Sequence, residues 1–115
     1  MKLNLRIGDR TFSATLADTD TARAFAALLP MTLDMDELNG NEKYHYLSSD
    51  LPTAATRYDT IENGDLMLWN GNCVVLFYKT FSSGYSYTPL GKLDDPAGLA
   101  AAVGGGGVQV TFTLD

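Results

Sequence analysis

The chain has 115 residues, 45% of them hydrophobic and 19% charged, which is enough for one hydrophobic core and too little for two. We therefore interpret residues 1–115 as a single domain, which excludes a multidomain enzyme and a disordered or fibrous chain. Eight Lys and Arg residues against fourteen Asp and Glu residues give a net charge of −6, which disfavours nucleic acid and anionic membranes as partners.

The first thirty residues predict a hairpin and a helix. Residues 3–7 and 11–16 alternate apolar and polar side chains on either side of a Gly-Asp turn, a pattern typical of a β-hairpin. This alternation also argues against a secretory leader, whose core is continuously apolar. Residues 18–21 offer N-cap oxygens, and apolar residues then recur at helical spacing until Pro30. One short helix is therefore expected here.

The middle of the chain predicts four more strands. Residues 31–38 alternate and end at an Asn-Gly-Asn turn, a shorter strand is predicted over residues 43–47, and residues 51–57 read as irregular. Two apolar runs, 66–69 and 73–78, flank a second Asn-Gly-Asn turn and predict a hairpin. Their continuous apolarity indicates strands that are covered on both faces.

The last third predicts a loop over residues 81–88 and a short strand over 90–93. A second helix is predicted from Pro96, which suits a first-turn position, to about residue 103, before a final alternating strand over 108–114. About eight strands and two short helices result. Closure into a barrel is the economical way to hide the edges of such a sheet.

The single cysteine and the single histidine limit the catalytic chemistry. Cys73 excludes an intrachain disulfide and a cysteine-built metal site, and it suits a reducing cytoplasm. A thiolate pair of Cys73 with His45 is one hypothesis, and a Cys73 that packs as a small apolar side chain is the alternative.

No apolar run approaches the roughly 20 residues of a membrane span. We therefore expect a soluble cytoplasmic protein.

Acidic residues cluster at the end of the predicted strand over residues 31–38. Asp34 and Asp36 lie on one face of that strand, with Glu42 close in sequence. Carboxylates suit calcium, but Leu38 and Asn39 stand where the calcium loop needs a ligand and a glycine. We interpret the cluster as a solvated edge that deters strand pairing. We expect no metal and no cofactor, and a carboxylate-based or metal-dependent enzyme stays as a third hypothesis.

Four consecutive glycines, residues 104–107, superficially suggest a phosphate-binding loop. Such a loop follows a strand and opens a helix, whereas this run closes a predicted helix and opens a strand. We expect these glycines to supply flexibility and positive φ at a helix end.

Aromatic residues are the best candidates for a binding site. Trp69 and Tyr78 belong to the central hairpin, and three more aromatic residues follow in the predicted loop. Loop tyrosines held by a rigid barrel suit apolar or proline-containing ligands. In the alternative interpretation, Trp69 and Tyr78 are core residues and the loop tyrosines only pack down. The candidate ligand-binding residues are Tyr78, Phe81, Tyr85 and Tyr87.

Four segments together resemble the small bacterial cyclophilin-like proteins, and the resemblance extends from the first hairpin to the last strand. It implies a closed eight-stranded β-barrel with two short helices, in agreement with the predicted elements. It also implies a family that is mostly uncharacterised in function. The segments are MTLDMDELNGNEKY (31–44), GDLMLW (64–69), CVVLFYK (73–79) and YSYTPLGK (85–92).

True cyclophilins isomerise X-Pro bonds with an arginine beside an apolar proline pocket. Their Phe-His-Arg and Phe-x-x-Gln-Gly-Gly signatures are absent, because His45 lies in YHY and Arg57 lies in TRY. No catalytic residue can therefore be transferred from them. We predict a barrel that binds a peptide or a small apolar ligand, with a divergent or weak prolyl isomerase as the alternative, and the oligomeric state stays open.

Overall fold

Eight antiparallel strands close into a barrel in a computed structural model that describes residues 1–115. The strands are β1 (Lys2–Ile7), β2 (Arg10–Leu16), β3 (Met31–Leu38), β4 (Glu42–Tyr46), β5 (Thr56–Arg57), β6 (Thr60–Ile61), β7 (Asp65–Trp69), β8 (Cys73–Phe77), β9 (Phe81–Ser82), β10 (Ser86–Leu93) and β11 (Val108–Leu114). The helices are α1 (Asp20–Ala26) and α2 (Leu99–Val103).

The order around the barrel is β2-β1-β11-β3-β4-β8-β7-β10, and β10 pairs again with β2 to complete the ring. The two-residue strands lie outside this ring, with β5 paired to β10 and β6 paired to β9. The predicted closed eight-stranded barrel with two short helices is therefore confirmed. Neither helix has the length and apolarity needed to cross a bilayer.

Every second side chain of the strands points into the barrel and forms its core. Leu3 and Leu5 of β1 and Phe112 of β11 are fully buried there. Helix α1 is capped by the Thr19 hydroxyl, which accepts a hydrogen bond from the backbone N–H of Ala22. The helix contributes Phe25 to the core. Phe25 packs edge to face on Phe112 with ring centroids 5.6 Å apart. The predicted first helix is confirmed.

Strands β7 and β8 are buried on both faces, as their continuous apolarity predicts. Leu68 and Val74 face the main core, whereas Val75 and Phe77 belong to a second, smaller cluster. Because side chains alternate across a strand, this second cluster lies on the outer face of the barrel wall. Ile61 of β6 is buried in it, so the short strands help to cover the outside of the wall.

Strand β10 is longer than we predicted, because the expected loop over residues 81–88 ends where the strand begins at Ser86. Pro89 does not prevent the strand, since the register shifts between Pro89 and Gly91 and a bulge tolerates a missing N–H. Gly91 lies at the barrel closure, where a Cβ would stand 2.5 Å from the Thr15 carbonyl oxygen. Only glycine lets β10 approach β2 this closely.

Helix α2 is shorter than we predicted and begins at Leu99 rather than near Pro96. Gly98 has a φ of +83°, which is incompatible with the interior of a right-handed helix. The helix ends at Val103, and its C-cap Gly104 has a φ of +67°, which confirms the expected positive φ within the glycine run.

Candidate functional site

An open cleft of about 370 Å³ lies on the outer face of the wall formed by β4, β8, β7 and β10. Val75 and Cys73 of β8 contribute to its lining, and both belong to the outer cluster. Leu38 and Asn39, at the end of β3, form one rim. Half of the ten lining residues are aromatic: Tyr44, Tyr46, Trp69, Tyr85 and Tyr87.

The aromatic rings meet at steep angles. Trp69 packs edge to face on Tyr85, with centroids 5.7 Å apart and an interplanar angle of 87°. It also contacts Tyr87 at 5.5 Å and 56°. On β4, on the far side of β8, the rings of Tyr44 and Tyr46 meet at 5.9 Å and 78°. Rings in this arrangement form adjoining walls rather than a parallel stack.

Glu42 is the only charged residue that lines the cleft. Its side chain is half-buried, and burial, followed by the negative charge of Glu37, raises its pKa. No hydrogen bond or cationic partner offsets that rise. Burial, together with the charge of Glu42, also raises the pKa of Cys73 to about 11 and that of Tyr87 to about 12. Both groups therefore stay neutral at neutral pH.

The structure brings two of the four candidate residues into the cleft. Tyr85 and Tyr87 line it, and Tyr87 is buried whereas Tyr85 is 64% exposed. Phe81 does not line the cleft and packs on Phe77, with ring centroids 5.6 Å apart. Tyr78 lies on the other side of the wall, where its hydroxyl donates to Glu37. Tyr78 follows β8 in the same alternation as the inward Leu76, which explains its place.

Sequence reasoning did not assign Tyr44 or Tyr46 to a ligand site, and it considered Glu42 only as a member of the acidic cluster. The signal was present, because residues 42, 44 and 46 must share one face of a strand. It was obscured because the alternate residues, Lys43 and His45, are polar as well. A strand with polar residues on both faces does not show which face is outward.

Cys73 and His45 do not form a catalytic pair. Cys73 is paired with Tyr46 in the ladder, and His45 is paired with Val74, so their side chains project from opposite faces of the sheet. The His45 Nδ1 atom lies 2.8 Å from the Asp34 carbonyl oxygen. Cys73 is 3% exposed, and the alternative in which it packs as a small apolar side chain is confirmed.

Lys43 lies on the inward face of β4 and is fully buried. Its ammonium donates to the carbonyl oxygens of Gly104 and Gly106 at 2.8 and 2.6 Å and to Glu37 Oε1 at 2.9 Å. It also lies 5.1 Å from the centroid of the Tyr78 ring. The glycine run therefore supplies carbonyl oxygens to a buried cation, a role that we did not predict.

The acidic residues at the end of β3 are dispersed rather than gathered. Asp34 accepts a hydrogen bond from Gln109 at 3.0 Å, and Asp36 is exposed. Glu37 is occupied by Lys43 and by the backbone N–H of Gly40. No group of three or more His, Cys, Asp or Glu side chains converges anywhere in the chain.

Comparison with known proteins gives two findings. Residues 5–113 match the family model described as the Cyclophilin-like family. The solution structure of a hypothetical protein from Archaeoglobus fulgidus superposes on all of this chain and on 95% of its own, with a TM-score of 0.64 and 20% sequence identity. At that identity the likeness concerns the fold alone. No curated protein matches the chain.

Proposed function

This chain belongs to the cyclophilin-like family, and we propose that it is a binding protein that holds a peptide or a small apolar ligand in the aromatic cleft on its barrel wall. The volume of about 370 Å³ falls within the usual range of roughly 300–1,000 Å³ for ligand sites. Ligand sites are characteristically lined by apolar and aromatic side chains with a few polar groups, as this one is.

The observation that carries the proposal is the exposure of large aromatic side chains around the opening. Tyr46 is 56% and Tyr85 is 64% exposed, so neither ring is buried in the core. Rigid aromatic rings with a polar tip contribute large contact areas and lose little conformational freedom on binding. Their concentration at one opening supports recognition rather than folding.

Prolyl isomerase activity is the alternative, and no observation in the cleft favours it. Arg57 is exposed, pairs with Ser86 in the ladder between β5 and β10, and has its Nε atom 3.7 Å from Asp59 Oδ1. It does not line the cleft. A protease-coupled assay on a blocked Ala-Pro-Phe peptide separates the two functions. We expect no rate enhancement, and an enhancement that Arg57→Ala abolishes would favour the isomerase.

Ligand binding is tested by titrating the protein with the same blocked tripeptide and with cyclohexanol, followed by backbone amide NMR shifts. We expect the shifts to concentrate at the cleft residues. Tyr85→Ala should weaken binding about fivefold, because one aromatic contact of about 1 kcal/mol is lost. Leu28→Ala is the control, since Leu28 is also exposed but lies outside the cleft. Absence of cleft shifts, or equal losses in both variants, would contradict the proposal.

A further inference from the structure

The carboxylate of Glu42 is a charge without a partner in an aromatic surrounding. It takes part in none of the ion pairs of the chain. Burial, and after it the like charge of Glu37, raise its pKa. Withdrawing a carboxylate from water is unfavourable unless another charge or hydrogen bond compensates it. No hydrogen-bond donor or cation of the protein pairs with Glu42, so a cationic ligand in the cleft can take that place.

The remaining lining residues do not compete for that role. No Lys, Arg or His side chain lines the cleft. The Cys73 thiol and the Tyr87 hydroxyl stay protonated at neutral pH, because burial and the nearby carboxylate raise the pKa of each. The cleft therefore has one negative charge within a neutral, aromatic lining. The net charge of −6 adds a long-range attraction for cations.

The aromatic rings that line the cleft together with Glu42 meet at steep angles. Trp69 stands at 87° to Tyr85 and at 56° to Tyr87, and Tyr44 stands at 78° to Tyr46. A ring face is negative at its centre and attracts a cation within about 6 Å. Walls at steep angles to one another can therefore contact several alkyl groups of one cation at once.

We propose that the cleft recognises an alkylated ammonium group, with Glu42 as the counter-charge and the aromatic rings around the alkyl groups. This inference rests on the proposed function, because it concerns the ligand of the same cleft. A neutral apolar ligand would fill the cleft but would leave the carboxylate uncompensated. A primary ammonium would keep a hydration shell that alkyl groups remove, so a methylated or otherwise alkylated cation fits better.

The experiment compares two probes of the same shape that differ in charge: choline and its neutral carbon isostere, 3,3-dimethylbutan-1-ol. Both are titrated at neutral pH and physiological salt, followed by the amide shifts of the cleft residues. We expect choline to bind roughly tenfold more tightly. Glu42→Gln, which keeps the side-chain shape, should remove this preference and leave the affinity for the alcohol unchanged. Asp9→Asn, which removes an exposed charge outside the cleft, should change neither affinity.

One further variant separates the contribution of the rings from that of the charge. Tyr46→Leu removes an exposed π-face, and it should weaken choline binding more than alcohol binding. A single cooperative unfolding transition checks that each variant is folded. A blocked tripeptide containing trimethyllysine then distinguishes the source of the ammonium. Tighter binding of this peptide than of choline supports a peptide ligand, and equal or weaker binding supports a free small molecule.

The outcomes separate this inference from the proposed function. Equal binding of choline and its isostere would overturn the charge preference while the ligand cleft stands. Equal losses in the Glu42→Gln and Asp9→Asn proteins would also overturn it, because the attraction would then be global. If neither probe binds and the neutral tripeptide also fails, the proposed function falls together with this inference.

Discussion

Two glutamates on the hairpin of β3 and β4 have opposite surroundings. Glu37 points towards the barrel interior, where burial alone would raise its pKa, but hydrogen bonds from Tyr78, Lys43 and the Gly40 amide outweigh that effect and lower it. Glu42 points outward into the cleft, where burial raises its pKa and no donor opposes the change. Glu37 is therefore paired within the fold, whereas Glu42 has no partner in the protein and is the charge that we propose for ligand binding.

The largest expected effect comes from removing the cation of the inward network. Lys43→Met leaves Glu37 without its ion-pair partner and two glycine carbonyl oxygens without a donor. We expect a loss of about 3 kcal/mol in the free energy of unfolding, measured by chemical denaturation. Lys79→Met, at an exposed lysine, is the control and should change stability by less than about 0.5 kcal/mol. Similar losses of stability in the two variants would contradict a specific contribution of the Lys43 network.

A smaller effect is expected from the hydroxyl of Tyr78, which donates to Glu37 Oε1 at 2.5 Å. Tyr78→Phe keeps the ring near Lys43 but removes this charge-assisted bond, for an expected loss of about 1–2 kcal/mol. The pKa of Glu37 should rise, and carbon-detected NMR of the carboxyl group can follow it. Tyr58→Phe removes a hydroxyl that donates to no acidic group, so it should leave the free energy of unfolding nearly unchanged. A loss confined to Tyr58→Phe would contradict this account.

The smallest effect is a gain in stability from Glu42→Gln. The pKa of Glu42 is raised in the folded state, so the ionised side chain destabilises the fold at any pH above that raised pKa. The penalty disappears as the pH falls below the ordinary glutamate value of 4.5. The variant should therefore melt slightly higher than the wild type at neutral pH and no higher in acid. A melting temperature that is lower at neutral pH, or an advantage that does not depend on pH, would refute the comparison.

The barrel was predictable because the residue pattern of most of its strands indicates which face is buried. The alternation of β1, of β2 and of residues 31–36 in β3 matches burial, and the second Asn-Gly-Asn turn predicts the hairpin of β7 and β8. The boundaries of β10 and α2 were wrong because they depend on backbone features that a residue pattern does not show. A bulge carries Pro89 through the strand, and a left-handed Gly98 delays the helix.

The cleft was only partly predictable, because it depends on which strands are neighbours. Tyr85 and Tyr87 were candidates from their position in the chain. Tyr44 and Tyr46 share the cleft with them only because β4, β8, β7 and β10 are consecutive in the wall. In β4 the inward residue is Lys43, and a buried lysine is rare enough that hydrophobicity alone would place the tyrosines inside. The long-range hydrogen bonds of Lys43 reverse that expectation.

In the wall that carries the cleft, the pleat of the strands separates the side chains of the core from those that line the cleft. Inward residues such as Leu68 and Val74 hold the core, while their outward neighbours form the opening. Outward positions such as Tyr46 and Tyr85 can therefore be randomised in a library without disturbing the hydrophobic interior. Selection from such a library would turn this small barrel into a scaffold for engineered receptors of other small molecules.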